Sequence, residues 1–180
     1  SGCSSIEKVY IPNSVKTVKN YAFHGCPCLT EIHIPSSVDS IDDHSFEGCS
    51  FLHILAIQPN LPQIGSCAFK DCSSLLKVVI PDSVVSIGSN AFDCCCSLVE
   101  IVISSNSIEI GDEAFCYCSS LTKVDLPGSV ESIGKRAFCG CSCLKEITIP
   151  KSVKSITIPV SLRSEVSLLK CKPSTLIKII

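Results

Sequence analysis

Residues 80–102 read IPDSVVSIGSNAFDCCCSLVEIV, and the frame of this stretch returns along most of the chain. Ile-Pro-like starts fall at Ile11, Ile34, Ile57, Ile80, Ile103, Leu126 and Ile149, each 23 residues after the last (34 − 11 = 23, 57 − 34 = 23). Seven residues into each unit stands Val18, Ile41, Ile64, Ile87, Ile110, Ile133 or Ile156, and five further on Phe23, Phe46, Phe69, Phe92, Phe115 or Phe138. A small residue precedes each Phe: Ala22, Ser45, Ala68, Ala91, Ala114 and Ala137. Cys26, Cys49, Cys72, Cys95, Cys118 and Cys141 follow at the third position, and Leu29, Leu52, Leu75, Leu98, Leu121 and Leu144 at the next third. Cys3, Ile6 and Val9 fit the same columns. A fixed period of this length is the signature of a stacked repeat array.

Apolar residues at every third position, giving way to alternation at Leu-x-x-Ile-x-Ile, suit a polygonal coil whose every side turns one residue inward. No single unit can bury that face. Stacking neighbours can, with about 1.5–3 kcal/mol available for each fully buried aliphatic or aromatic side chain. The alternating segments, such as Thr30 to Ile34 and Lys145 to Ile149, are expected to be short strands paired in parallel with their copies. The proline that follows lacks an N–H and would end that ladder. Segments of the Asp42 to Gly48 type, built around Ala-Phe or Ser-Phe, are expected to be one helical or 3₁₀ turn on the opposite side.

The unit Ile-Pro-x-Ser-Val-x-x-Ile-x-x-x-Ala-Phe-x-x-Cys-x-x-Leu resembles the BspA-like leucine-rich repeats, and the match covers residues 1–156. The resemblance implies an α/β fold. The expected architecture is a leucine-rich-repeat solenoid, a right-handed superhelix of 23-residue coils with short parallel strands on one face and short helical or 3₁₀ turns on the other. It also implies a cell-surface or secreted protein associated with adhesion to host or matrix proteins, and it transfers no catalytic residue. The array spans 1–156: a half unit over 1–10, six full units over 11–148 and the start of a seventh over 149–156. Beyond it the register is lost, because Ile158-Pro159 follows Ile149-Pro150 after nine residues, without Ala-Phe-x-x-Cys between them (158 − 149 = 9). Residues 157–180 are left as an irregular cap or a tail. Smaller departures are Ser104 in place of Pro, Ser107 in place of Val, and Gln58-Pro59 with its shifted proline.

Composition narrows the function. A net charge of −2 supplies no basic field to gather nucleic acid. The longest apolar run, Leu75 to Ile80, is broken by Lys77 and is far short of the roughly 18 residues a spanning helix needs. Membrane insertion is therefore not expected. Ser1 to Tyr10 does not resemble a signal peptide, and 15 cysteines suit a reducing setting better than the surface location the resemblance implies, so a cytoplasmic location stays open.

The column cysteines are read as small buried apolar groups. A disulfide framework is a second reading, weakened by an odd cysteine count, although Cys116 and Cys139 occupy one repeat position and could pair if their side chains converge. Zinc is the third, weakened by the absence of any Cys-x-x-Cys. No phosphate-loop, Gly-x-Gly-x-x-Gly, His-Glu-x-x-His or Gly-x-Ser-x-Gly motif is present, so neither catalysis nor a cofactor is expected.

Alternation places one outward column at Lys8, Glu31, Ile54, Lys77, Glu100, Lys123 and Glu146. A second runs through Tyr10, His33, Ala56, Val79, Val102, Asp125 and Thr148. Strands about 4.8 Å apart would turn the first into a ladder of alternating charge. Near its middle the face becomes apolar, and the residues expected to bind a protein partner are Ile54, Leu76, Lys77, Val79, Val99, Glu100, Val102 and Lys123. The function expected is a non-catalytic interaction module with a protein partner; the alternative is a structural spacer or self-associating segment.

Overall fold

The protein is described by a computed structural model over residues 2–104, 108–156 and 176–179, with backbone alone for 155, 156 and 176–179. Its strands alternate between two walls. On the first lie β1 (Lys8–Tyr10), β3 (Glu31–Ile34), β5 (Ile54–Ile57), β7 (Lys77–Ile80), β9 (Glu100–Ile103), β11 (Lys123–Asp125), β13 (Glu146–Ile149) and β15 (Leu176–Ile179). On the second lie β2 (Thr17–Val18), β4 (Ser40–Ile41), β6 (Gln63–Ile64), β8 (Ser86–Ile87), β10 (Ile108–Ile110), β12 (Val130–Ile133) and β14 (Ser155–Ile156). Among the described residues every strand pairing is parallel, and the register steps by one repeat: Lys77 opposite Glu100, Ile64 opposite Ile87, Val124 opposite Ile147. The architecture is thus a parallel β-solenoid with a 23-residue step. Leu176–Ile179 adds a last strand on β13, while 157–175, where the register is lost, and Ser107 lie outside the described residues.

The second wall is one seven-stranded sheet, but the first divides into β1-β3-β5 and β7-β9-β11-β13-β15. The break follows the unit with the shifted proline. There Asn60 takes a φ of 104°, and Leu55, Ala56 and Ile57 are only half buried or less. Gln58 and Ser104 each donate a backbone bond to the preceding coil, to Ile34 and Ile80. Pro81, at the same repeat position, has no N–H to offer Ile57.

One expectation is corrected. The Ala-Phe segments form no helix or 3₁₀ turn; among the described residues the third side of every coil is a chain of tight turns. Two residues per coil, four apart, adopt left-handed φ values near 54–74°: Tyr21 and Gly25, His44 and Gly48, Cys67 and Asp71, Asn90 and Cys94, Glu113 and Tyr117, Arg136 and Gly140. A left-handed residue cannot continue a right-handed helix. Amides of this side instead cross to the following coil, as in Phe46 to Ala68 (2.8 Å), Asn90 to Asp112 (2.8 Å) and Cys94 to Cys116 (2.8 Å). Amides at the strand corners run the other way: Gly65 donates to Ile41, Gly88 to Ile64 and Gly111 to Ile87.

The interior follows the sequence columns. Phe23, Phe46, Phe69, Phe92, Phe115 and Phe138 form one stack with successive centroids 5.1–5.5 Å apart and planes within 10°. The column thiols of Cys49, Cys72, Cys95, Cys118 and Cys141 each donate to the carbonyl of the Phe one coil back, at 3.2–3.3 Å. The recurrent cysteine therefore fills core volume and also supplies a donor to a buried carbonyl. Burial pushes the Cys49 thiol up to about 12, and those of Cys72, Cys95 and Cys118 well above the ordinary value.

Adjacent coils touch backbone to backbone where β8 ends. A Cβ on Gly88 would meet the Gly65 carbonyl carbon and the Ser66 nitrogen at 2.6 Å, whereas one on Gly128 would meet nothing within 4 Å. Gly88→Ala is expected to cost about 1–3 kcal/mol in urea unfolding, as overpacking does, and Gly128→Ala to leave the midpoint nearly unchanged. Equal effects would contradict the close approach.

The thiols also set an alkaline limit. Their folded-state pKa is raised, so the stability they contribute is complete below the ordinary value of 9.0 and is lost as pH climbs through the folded value, about 12 for Cys49. Each fully buried column thiol is expected to withdraw about 1.4 kcal/mol by one pH unit above the unfolded-chain value. Thermal melts from pH 8 to about pH 11 should fall more steeply for the wild type than for Cys72→Ala/Cys95→Ala.

Candidate functional site

The first wall presents the residues that the alternation points outward. Leu76 and Val99 lie just before β7 and β9 and are joined by the bond from the Val99 amide to the Leu76 carbonyl (2.9 Å). Val79 and Val102 are register partners on the same two strands. Leu76 is 54% exposed, Val79 45% and Val99 46%, with Val102 half buried beside them. These four form one apolar block on rigid paired backbone. Ile54, 44% exposed, comes from β5, across the break in the sheet, and so flanks the block from a separate ladder.

The charged border differs from the expected ladder at one place. Lys77 reaches Glu100 at 2.9 Å as expected, but Lys123 turns along its own strand to Asp125 at 2.7 Å. The Asp125 carboxylate, through hydrogen bond and charge, holds the Lys123 ammonium above its ordinary pKa. An i+2 residue on the same strand face is farther off than a cross-strand neighbour, about 6.6 Å against about 4.8 Å, but it lies within a lysine's reach and here it wins. At the far end Glu31 binds His33 (2.7 Å) and Lys8 (3.6 Å), and the His33 bond is the largest influence holding its carboxyl below the usual range.

Tyr10, on β1 in an outward column, is well exposed, and the sequence reading assigned no site role to the exposed Tyr21, Phe51, Val85 and Tyr117, of which Phe51 stands at the corner before β5. Phe51 had a signal. Its column otherwise holds Cys28, Ser74, Ser97, Ser120 and Cys143, so a lone aromatic there departs from a small-residue rule.

The turn side carries a second arrangement that the sequence reading did not assemble. Its column of His24, Glu47, Lys70, Asp93, Cys116 and Cys139 meets a neighbouring column of Tyr21, His44, Cys67, Asn90, Glu113 and Arg136. Glu47 binds His44 at 2.6 Å and lies 3.7 Å from His24; Lys70 binds Asp93 at 3.3 Å; Arg136 binds Glu113 at 3.1 Å. Tyr21 stacks on His44 with centroids 4.7 Å apart. Partial burial pulls the Lys70 pKa down, but the bond and charge of Asp93 outweigh it and the net shift is upward. These groups satisfy one another within and across coils. That makes this side a set of register contacts, in contrast to the apolar block of the first wall.

Among the described residues no group of three or more His, Cys, Asp or Glu is placed to hold a metal, and no helix is long and apolar enough to cross a membrane. The Lys77–Glu100 pair is exposed on both sides, and such pairs contribute about 0.2–1 kcal/mol. A double-mutant cycle with Lys77→Ala and Glu100→Ala, read by urea unfolding, is expected to give a coupling at the low end of that range. A coupling near 2 kcal/mol would make the border structural.

The sequence matches the family model of the BspA type leucine-rich repeat region, in six copies, over residues 1–121 and 50–160. Among solved structures it is similar to the pneumococcal vaccine antigen PcpA, with 29% identity and a TM-score of 0.69 over 77% of this chain and 36% of that one. A leucine-rich cell surface protein from Faecalibacterium prausnitzii shares 27% identity at a TM-score of 0.59, covering 98% of this chain and 60% of that one. The leucine-rich repeat protein of T. pallidum shares 33% identity at 0.51, over 75% and 52%. The chain thus spans between about a third and three-fifths of the length of these relatives. Among curated proteins no match is found.

Proposed function

Because the chain belongs to the BspA-type leucine-rich-repeat family, we propose that it is a protein-binding module that acts at the cell surface and uses its first wall for adhesion to host or matrix proteins. The observation that carries this reading is the exposed block of Leu76, Val79, Val99 and Val102 on paired strands, bordered by Lys77, Glu100, Lys123 and Asp125. Single exposed apolar residues are ordinary on any surface. A contiguous group with a charged rim is the pattern of a protein contact. The scaffold adds preorganisation, since β7 is paired with β9 and β9 in turn with β11, and strands held in a ladder lose little freedom when a partner docks. A surface location draws support from the relative described as a cell surface protein. Binding needs no cofactor, only shape, apolar area and charge.

The test is capture on immobilised extracellular-matrix proteins. The wild type is expected to bind at least one of them. Val79→Asp/Val102→Asp should weaken that binding by about tenfold or more, because each carboxylate would be desolvated at the contact, with the circular-dichroism spectrum unchanged. Val85→Asp, an exposed position at the approach to β8 on the second wall, should bind like the wild type. Retained binding by the double variant would remove the first wall from the reading. Failure of the wild type on every matrix protein would remove adhesion.

A further inference from the structure

Among the described residues Cys116 and Cys139 stand alone on the turn side as two thiols in one column and on neighbouring coils (139 − 116 = 23). The register around them is fixed by backbone bonds. The Phe115 amide donates to Ala137 at 2.8 Å and the Tyr117 amide to Cys139 at 2.6 Å, so the residues on either side of Cys116 are tied to the coil of Cys139. Stacked parallel backbones lie about 4.8 Å apart, and the Phe115 and Phe138 rings just before the two cysteines are separated by 5.5 Å. That step falls within the roughly 4.4–6.8 Å Cα separation that a disulfide bridges. The two side chains also meet: a hydrogen bond joins the thiols, and both residues are buried.

The inner cysteine column is equally close-stacked but differently engaged. Cys118 and Cys141 each give their thiol hydrogen to a Phe carbonyl, and both are wholly enclosed by core. At the turn side the two thiols instead face each other, and Arg136 brings its guanidinium into hydrogen bonding with the Cys139 sulfur. The Arg136 Nε is buried without a hydrogen-bond partner, so this cation has a donor to spare at the place where negative charge develops in thiol–disulfide exchange. Cys139 is also the less enclosed of the two, at 4% exposure against none for Cys116.

We infer that Cys116 and Cys139 form a redox site that is oxidised by low-molecular-weight disulfides to a cross-coil bridge, with Cys139 the attacking thiol and Arg136 a positioning residue beside it. Cys139 gives up its proton and its sulfur attacks one sulfur of the disulfide RSSR. The S–S bond of RSSR breaks, and Cys139 is left as a mixed disulfide with RSH released. Cys116 then loses its proton and attacks the Cys139 sulfur, expelling the second RSH. The two protein thiols are oxidised, RSSR is reduced to two RSH, and both protons leave on them. The product staples the coil leading into β11 to the coil leading into β13.

The test uses native protein and 2-hydroxyethyl disulfide, with peptide mapping by mass spectrometry under non-reducing conditions. The wild type is expected to yield a Cys116–Cys139 crosslink, while the exposed Cys3, Cys96 and Cys143 take up the reagent only as mixed disulfides. Its thermal midpoint should rise by several degrees, and reductant should reverse the rise. Cys116→Ser should stop at the mixed disulfide on Cys139, and Cys139→Ser should give neither crosslink nor adduct at Cys116. Arg136→Gln should slow crosslinking severalfold while its crosslinked product keeps the raised midpoint; an unchanged rate would remove Arg136 from the site. Recovery of both thiols unmodified from the native wild type, or their linkage to other cysteines, would overturn the proposal. The wild-type map alone decides this should a variant fail to fold.

Discussion

Everything in this molecule is conditioned by the height of one coil. Successive turns are joined by backbone bonds on all three sides, except where the first wall parts between β5 and β7, and the Phe stack repeats at 5.1–5.5 Å. A residue wider than the step has to sit where the coil is slack, and a residue at a tight place has to be small. The alanines before the buried Phe column and the glycines at 65, 88, 111 and 134 are the outcome. The same step makes every column a list of nearest neighbours. A side chain is judged less by its own coil than by what stands 23 residues before and after it, which is how nearest-neighbour terms come to govern repeat stability.

That rule explains why the two decorated sides differ. On the turn side, half-buried polar groups stand close to one another and must find partners locally, so Glu47 meets two histidines, Lys70 meets Asp93 and Glu113 meets Arg136. On the first wall the strand side chains stand out into solvent, where charge is screened and pairing is optional. The apolar block there relieves no strain inside the fold. It is the part of the surface that the proposed partner would cover.

Much of the fold was legible from the sequence because burial imposes a column rule that a single chain repeats six times. Thr30 to Ile34 was expected as a strand, and Glu31–Ile34 is one; the Phe column was expected to stack, and it does. The third side was misread because Ala-Phe-x-x-Cys has the spacing of a helical turn. The deciding signal was the conformational demand at positions such as Gly25, Gly48 and Gly140, hidden where Asp71, Cys94 or Tyr117 takes the same left-handed conformation. The outward residues of the candidate site were legible for the same reason as the core, since alternation defines both faces at once. Lys123 was not, because the choice between Asp125 on its own strand and glutamates on the neighbours depends on side-chain reach, which spacing does not encode. Phe51 lies at a corner before β5, outside the alternation that marks the strand faces.

The opposed directions of the cross-coil amides have an electrical consequence. Turn-side N–H groups aim at the following coil, while those at the strand corners aim at the preceding one. In an α-helix every peptide dipole adds to the next, so the ends accumulate partial charge. Here the contributions of opposite walls largely offset one another, and extended strands add little of their own. A stack of this kind can be lengthened one unit at a time without building up a polarised tip, so its ends impose no charge requirement on whatever adjoins them.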